Sequence, residues 1–175
     1  MRLVLTAHPD FPAAAVTAIA VELERAAGAL TLRYALTGDI ARLAVPPPAA
    51  PSRTDELWRH TCFEAFVSPA PGEAYFEFNF APSTRWAAYR FSGYREGMAT
   101  ADVEAPGIEV ATTNTSLELM VRLALPPVPC RLALSAVVET IDGAKSYWAL
   151  AHPPGRPDFH HRSSFACALP IAEAL

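Results

Sequence analysis

Residues 75–91, Tyr75-Phe76-Glu77-Phe78-Asn79-Phe80-Ala81-Pro82-Ser83-Thr84-Arg85-Trp86-Ala87-Ala88-Tyr89-Arg90-Phe91, decide how the chain is read. Phe76, Phe78 and Phe80 alternate with Tyr75, Glu77 and Asn79; Ala81-Pro82-Ser83-Thr84 reads as a turn; then Ala87, Tyr89 and Phe91 alternate with Trp86, Ala88 and Arg90. Successive side chains of a strand point to opposite faces, so this period of two predicts a β-hairpin. With four residues in the loop, Asn79 stands opposite Trp86, Glu77 opposite Ala88 and Tyr75 opposite Arg90, while Phe78/Ala87 and Phe76/Tyr89 share the reverse face. The apolar pairs are expected to face the core, which leaves Tyr, Glu, Asn, Trp and Arg on the other surface.

A second hairpin follows from Asp142-Gly143, a strong short turn signal. A two-residue loop there pairs Val138 with Tyr147, Ala136 with Ala149 and Leu134 with Ala151. The opposite face then carries Glu139/Ser146, Val137/Trp148, Ser135/Leu150 and Ala133/His152. A third hairpin joins Ile108, Val110 and Thr112, across a turn at Asn114, to the alternating Leu117, Leu119, Val121 and Leu123. Residues 30–36 and 61–67 also read as strands. Residues 13–27 fit either an amphipathic helix or a strand in which Ile19, Val21 and Leu23 alternate and Gly28 turns the chain; strand is favoured.

Seventeen prolines, roughly double the average share, fall between the apolar segments and leave no long uninterrupted helical window. Pro46-Pro47-Pro48 through Ser52 and His152 to Asp158 read as proline-rich loops. Many short strands with frequent turns predict an all-β, antiparallel β-sandwich or jelly roll, and 175 residues with 51% hydrophobic content suit a single domain spanning 1–175 with one full core.

The formal charge of −4 and the lack of any Lys/Arg cluster make nucleic acid an unlikely kind of partner, and no stretch has the length of a bilayer span. The opening run Met1–Pro9 is too short, and broken by His8 and Pro9, for a signal peptide. Cys62, Cys130 and Cys167, odd in number and unpatterned, suit buried reduced thiols. A cytoplasmic location is therefore expected. Oligomeric state is not legible.

Several segments carry a family resemblance. Leu57-Trp58-Arg59-His60-Thr61-Cys62-Phe63-Glu64-Ala65-Phe66, Phe76 to Ser83, Trp86 to Phe91, Ser146 to Pro153 and Pro157-Asp158-Phe159-His160-His161 together resemble the bacterial DOMON-like proteins. The resemblance covers most of the chain after about residue 28. It implies a sandwich related to sugar- or haem-binding DOMON domains and to family 9 carbohydrate-binding modules, and implies far less about activity. In the sugar-binding relatives two aromatics grip a terminal saccharide, helped by carboxylate, Arg and Asn groups. Those relatives are typically secreted, a point on which this chain departs from them.

The residue types that such a site needs are present. Trp86 can stack on a sugar's C–H face while Glu77, Asn79 and Arg90 hydrogen-bond hydroxyls, with Trp58 and Glu64 near by in the sequence pattern and Trp148, beside His152, as a second stacking wall. The plainer account is a cross-strand Glu77/Arg90 ion pair beside an edge-capping aromatic. A saccharide or similar small polar ligand is the expectation. A haem held by a His with Met98 or Met120 is the alternative, and a protein-interaction surface a second one.

No metal site is assigned, because His60 and Cys62 lack further ligands at a convincing spacing and His160 and His161 diverge if extended. For His152, His160 and His161, hydrogen bonding around the proline-rich loop is the favoured reading. No catalytic residue is assigned either: Glu64 and Glu77 can form a carboxylate pair, but two Glu on neighbouring strands is a common arrangement. The chain reads as a ligand holder more than as a catalyst.

Overall fold

The structure, a computed structural model, describes residues 1–26 and 28–171. Among these, the strands are β1 (Arg2–Ala7), β2 (Val16–Ala26), β3 (Ala29–Gly38), β4 (Cys62–Pro69), β5 (Tyr75–Phe80), β6 (Trp86–Phe91), β7 (Ala99–Thr100), β8 (Gly107–Thr112), β9 (Ser116–Ala124), β10 (Cys130–Glu139), β11 (Lys145–Ala149) and β12 (Cys167–Leu169). Helix is confined to single 3-10 turns such as Leu57–Arg59, and none among the described residues is long and apolar enough to cross a membrane. Residues 13–27, ambiguous in sequence, supply β2 as a strand up to Ala26, while β1, β7 and β12 have no counterpart among the expected strands.

The strands pair antiparallel in the order β7-β6-β5-β4-β10-β11-β1-β2-β3-β9-β8, with β12 alongside the start of β10. One strand makes the corner. β1 pairs through Arg2–Leu5 with β2 and through Thr6 and Ala7 with β11, so the sheet curls over and presses its two halves together. The all-β sandwich expected from the alternating segments is the fold observed.

The two halves bury different amounts. In the β1-β2-β3-β9-β8 half, Ile19, Val21, Leu23, Leu32, Leu36, Leu119 and Val121 point inward, while Glu22, Arg33 and Glu118 stand in solvent, where Arg33 bridges the two acids. That is the one-sided alternation of a sheet with one wet face. Tyr34 crosses the core from β3 and donates its O–H to the Glu64 carbonyl of β4 at 2.8 Å, tying the layers together with a satisfied polar group. In the other half, Phe63, Ala65, Phe78, Phe80, Leu132 and Leu134 fill the same core, but the outer face is also apolar: Phe66, Tyr75, Tyr89, Phe91 and Val137 form a second cluster with Phe159 and Phe165. Chain segments lie over this outer face, and the candidate site is beneath them.

Two expected registers are corrected. The first hairpin pairs Phe80 with Trp86, Phe78 with Ala88 and Phe76 with Arg90, and the second pairs Ala136 with Trp148, Val137 with Tyr147 and Glu139 with Lys145. Each differs by one residue from the sequence expectation, for a shared reason. Ala81 N–H bonds the Arg85 carbonyl and Thr84 N–H bonds Ala81, with Thr84 at φ 72°; likewise Thr140 N–H bonds Ala144 and Gly143 N–H bonds Thr140, with Gly143 at φ 85°. Both loops are three residues ending in a left-handed position, a common hairpin solution in which the final residue absorbs the twist. An odd loop where an even one was expected turns one strand of each hairpin over. Trp86, Ala88 and Trp148 consequently enter the core, and Tyr89, Phe91 and Tyr147 take the outer face.

Arg25 of β2 secures the C-terminal strand. Its guanidinium donates to the carbonyls of Pro126, Val128, Leu169 and Pro170 at 2.6–3.0 Å, linking the β9–β10 connection to the end of β12. A Lys cannot reproduce this planar fork. In both Arg25→Ala and Arg25→Lys, amide hydrogen exchange over 167–169 should accelerate by at least tenfold, about 1.4 kcal/mol of local opening; unchanged protection would contradict the clamp.

Candidate functional site

The outer face of β4, β5, β6, β10 and β11 is the floor of a cavity of about 510 Å³. Cross-strand pairing builds that floor. Glu64 lies opposite Asn79 on one side and Ser135 on the other, and Glu77 is two residues from Asn79, so Glu64 and Glu77 are diagonal neighbours on one surface. The walls come from loops: Trp58 from the 3-10 turn before β4, Arg95 and Met98 from the loop after β6, and Phe159 and His160 from the segment after β11. Tyr147 and Phe91 complete an aromatic enclosure. The volume falls within the range that small-molecule sites occupy, roughly 300–1,000 Å³.

Both carboxyls are buried, Glu64 at 2% and Glu77 at 5% exposure. Ser135 Oγ donates to Glu64 Oε2 at 3.0 Å, and Asn79 Nδ2 donates to Glu77 Oε1 at 2.8 Å. Among the described residues no Lys or Arg comes within 4.0 Å of either group. Burial without a cation disfavours the charged form. Desolvation, and then the charge of Glu77, push Glu64 up to about 8; desolvation raises Glu77 too, against the Asn79 hydrogen bond and the Arg95 charge. Near neutral pH the pair holds a proton.

His160 sits over Glu77, with Nε2 at 3.6 Å from Glu77 Oε2. Its other nitrogen is fixed by a chain of bonds: Arg95 N–H donates to Tyr75 Oη at 3.2 Å, and Tyr75 Oη and His160 Nδ1 share a hydrogen bond at 2.8 Å. Phe66 and Phe91 pack edge-on against the ring. Desolvation and the nearby Arg95 hold His160 down to about 4, so it faces Glu77 as a neutral imidazole.

Asp158 fastens the walls to each other. It accepts from Arg95 Nη2 at 2.8 Å, from the His160 backbone N–H at 3.1 Å and from the Tyr94 hydroxyl. Burial opposes its charge, yet the Tyr94 and Arg95 hydrogen bonds hold its carboxyl below the usual range. A second, wider hollow of about 820 Å³ lies on the other side of His160, lined by Tyr75, Arg131 and His161, but holds neither buried Glu.

Of the residues singled out in the sequence, Trp58, Glu64 and Glu77 line the cavity, as does Met98 of the haem alternative, and Asn79 lies beneath them bonded to Glu77. The structure does not bring the others there. Trp86, at 6% exposure, is in the inter-sheet core under the Arg53 guanidinium, 4.3 Å from its ring centre, and Trp148, at 5%, is in the same core with Nε1 donating to Ser146. Arg90, paired with Phe76, is exposed, and His152 packs against His8 and bonds the Thr6 carbonyl. Met120 is on the exposed side of β9. The residues the sequence reading missed are Tyr147, Phe159, His160 and Arg95; Tyr147 was recoverable from the correct loop parity, whereas the others arrive from loops without a local signal. Among the described residues no group of three His, Cys, Asp or Glu is placed to hold a metal, and all three cysteines are free and buried.

Fold and site together define an antiparallel β-sandwich with a ligand-sized cavity on the outer face of one sheet. Among solved structures, a protein from Bacteroides uniformis bearing the name "putative carbohydrate-binding protein" shares this fold, with a TM-score of 0.66 at 16% identity over 93% of this chain and 83% of that one. Neither a family model nor a curated protein matches the chain, so the DOMON-like resemblance gains no support at the level of sequence families.

Proposed function

We propose that the cavity beneath Trp58 binds a saccharide. The observation that carries this reading is the combination at one place of aromatic walls and a buried floor of hydrogen-bonding groups, Glu64 and Glu77. A sugar ring presents C–H faces to the first and hydroxyls to the second. Trp58 is half-buried and meets Tyr89 edge-on at 5.8 Å, so its indole has a wall to rest on and a face left to offer. The name carried by the Bacteroides uniformis fold neighbour points the same way. Trp58, Glu64 and Glu77 are the contacts proposed, with Tyr147 and Phe159 added, and Asn79 holds Glu77 in place from beneath.

Isothermal titration with a panel of mono- and disaccharides tests this. At least one sugar should bind, and Trp58→Ala should weaken it by about tenfold or more, the loss of ~1–2 kcal/mol of stacking, with little change in melting temperature. A panel without any binder, or a Trp58→Ala protein that binds as before, would overturn the proposal.

A further inference from the structure

We propose that the cavity selects sugars bearing a protonated amine, the ammonium seated at the Glu64/Glu77 pair. This rests on the saccharide reading and narrows it. The starting point is an imbalance of charge within the site. Each basic residue at the rim already has an acid of its own: Arg59 pairs with Glu56 at 2.8 Å, Arg95 with Asp158 at 2.8 Å, and Lys145 lies 4.0 Å from Glu139. The two carboxyls on the floor have no such partner. His160, the one basic side chain near them at 3.6 Å, is enclosed by Phe66 and Phe91 and commits Nδ1 to Tyr75.

Hydrogen bonding is likewise half complete. The sheet supplies one donor to each carboxyl, Ser135 to Glu64 Oε2 and Asn79 to Glu77 Oε1, and among the described residues Glu64 Oε1 and Glu77 Oε2 receive none. Both residues line the cavity, so these oxygens are open to an incoming donor, and a cation entering there meets two carboxyls that have none of their own. An alkylammonium has three donors on one compact centre and can reach two carboxylates at once. The surrounding rings of Trp58, Phe91, Tyr147 and Phe159 add an attraction that a neutral hydroxyl does not feel. A guanidinium would demand a planar fork, whereas the floor offers two separate oxygens on neighbouring strands. Filling the site with a cation also removes the reason for the pair to retain its proton, so binding should expel one.

Titration calorimetry at pH 7 with the wild-type protein compares glucosamine, galactosamine and mannosamine with glucose, galactose and mannose and with the three N-acetyl derivatives. One amino sugar should bind at least tenfold more tightly than both its neutral parent and its N-acetyl form. Repeating it in buffers of different ionisation enthalpy should show about one proton released with the amine and none with the parent. Glu64→Gln and Glu77→Gln should each remove most of the amine preference. Equal affinity for amine and parent, or a preference that survives both substitutions, overturns the inference while leaving the saccharide reading intact; absence of binding by every sugar, charged or neutral, overturns the saccharide reading itself.

Discussion

Replacing Glu64 with Gln raises the melting temperature at pH 8.5 by roughly 10 °C, while the two proteins converge near pH 5. The folded-state value of about 8 lies well above the unfolded value of 4.5. The folded state therefore retains a proton that the unfolded chain has lost, and stability present below pH 4.5 is lost as the pH rises through 8. A displacement that large on a fully buried carboxyl corresponds to on the order of 3–5 kcal/mol, and a domain of this size moves about 2–4 °C per kcal/mol. Gln keeps the shape, accepts the Ser135 hydrogen bond through its amide oxygen and never ionises.

His160 works in the opposite direction and marks out the window in which to measure. Its folded value of about 4 is below the ordinary 6.5, so it stabilises fully above pH 6.5 and less as the pH falls toward 4. Between 4.5 and 6.5 the two groups oppose each other, whereas between 6.5 and 8 the loss belongs to the carboxyl pair. The wild-type melting temperature should decline across that upper window, and the Glu64→Gln profile should be much flatter there. Parallel profiles would mean that Glu64 is ionised in the folded protein at neutral pH, and the account of the site's charge would fall.

The half of the molecule with one wet face was legible from sequence. In β8 and β9, Ile108, Val110, Leu119 and Val121 alternate with polar residues, so a slipped register would expose the apolar set; the hairpin expected there forms, with Ile108 opposite Val121 and Val110 opposite Leu119. The same rule is silent for β5 with β6 and β10 with β11, because both faces of that sheet are buried. Glu77, Asn79 and Ser135 look like surface residues in a sequence window, yet they are covered by segments around Trp58, Arg95 and His160. Local alternation says that two faces differ; it does not say which of two apolar faces meets the other sheet. What decided the matter was loop parity, through Thr84 and Gly143. Glu64 and Glu77 were readable as a candidate pair because strand neighbours follow from chain order, whereas His160 reaches them by a long-range return of the chain.

Trp86→Ala and Trp148→Ala therefore have the reverse of the effect that an outer-face placement implies. With both indoles in the inter-sheet core, truncation leaves large cavities, and each variant should lose about 3–5 kcal/mol of stability, a fall of roughly 10 °C in melting temperature. Trp86 carries an added penalty, since Arg53 rests on its ring while donating to the Ala88 and Ala101 carbonyls, and removal of the indole leaves that guanidinium without its support. Assayed below their transitions, both variants should bind sugar as the wild type does, because neither side chain lines the cavity. Trp58→Ala should show the mirror image, with affinity lost and stability kept. Thermal melts and titrations on the three variants give a direct reading of hairpin register in solution: a Trp86→Ala protein that melts normally but no longer binds would require the even-numbered loop and would turn the floor of the cavity to the other side of the sheet.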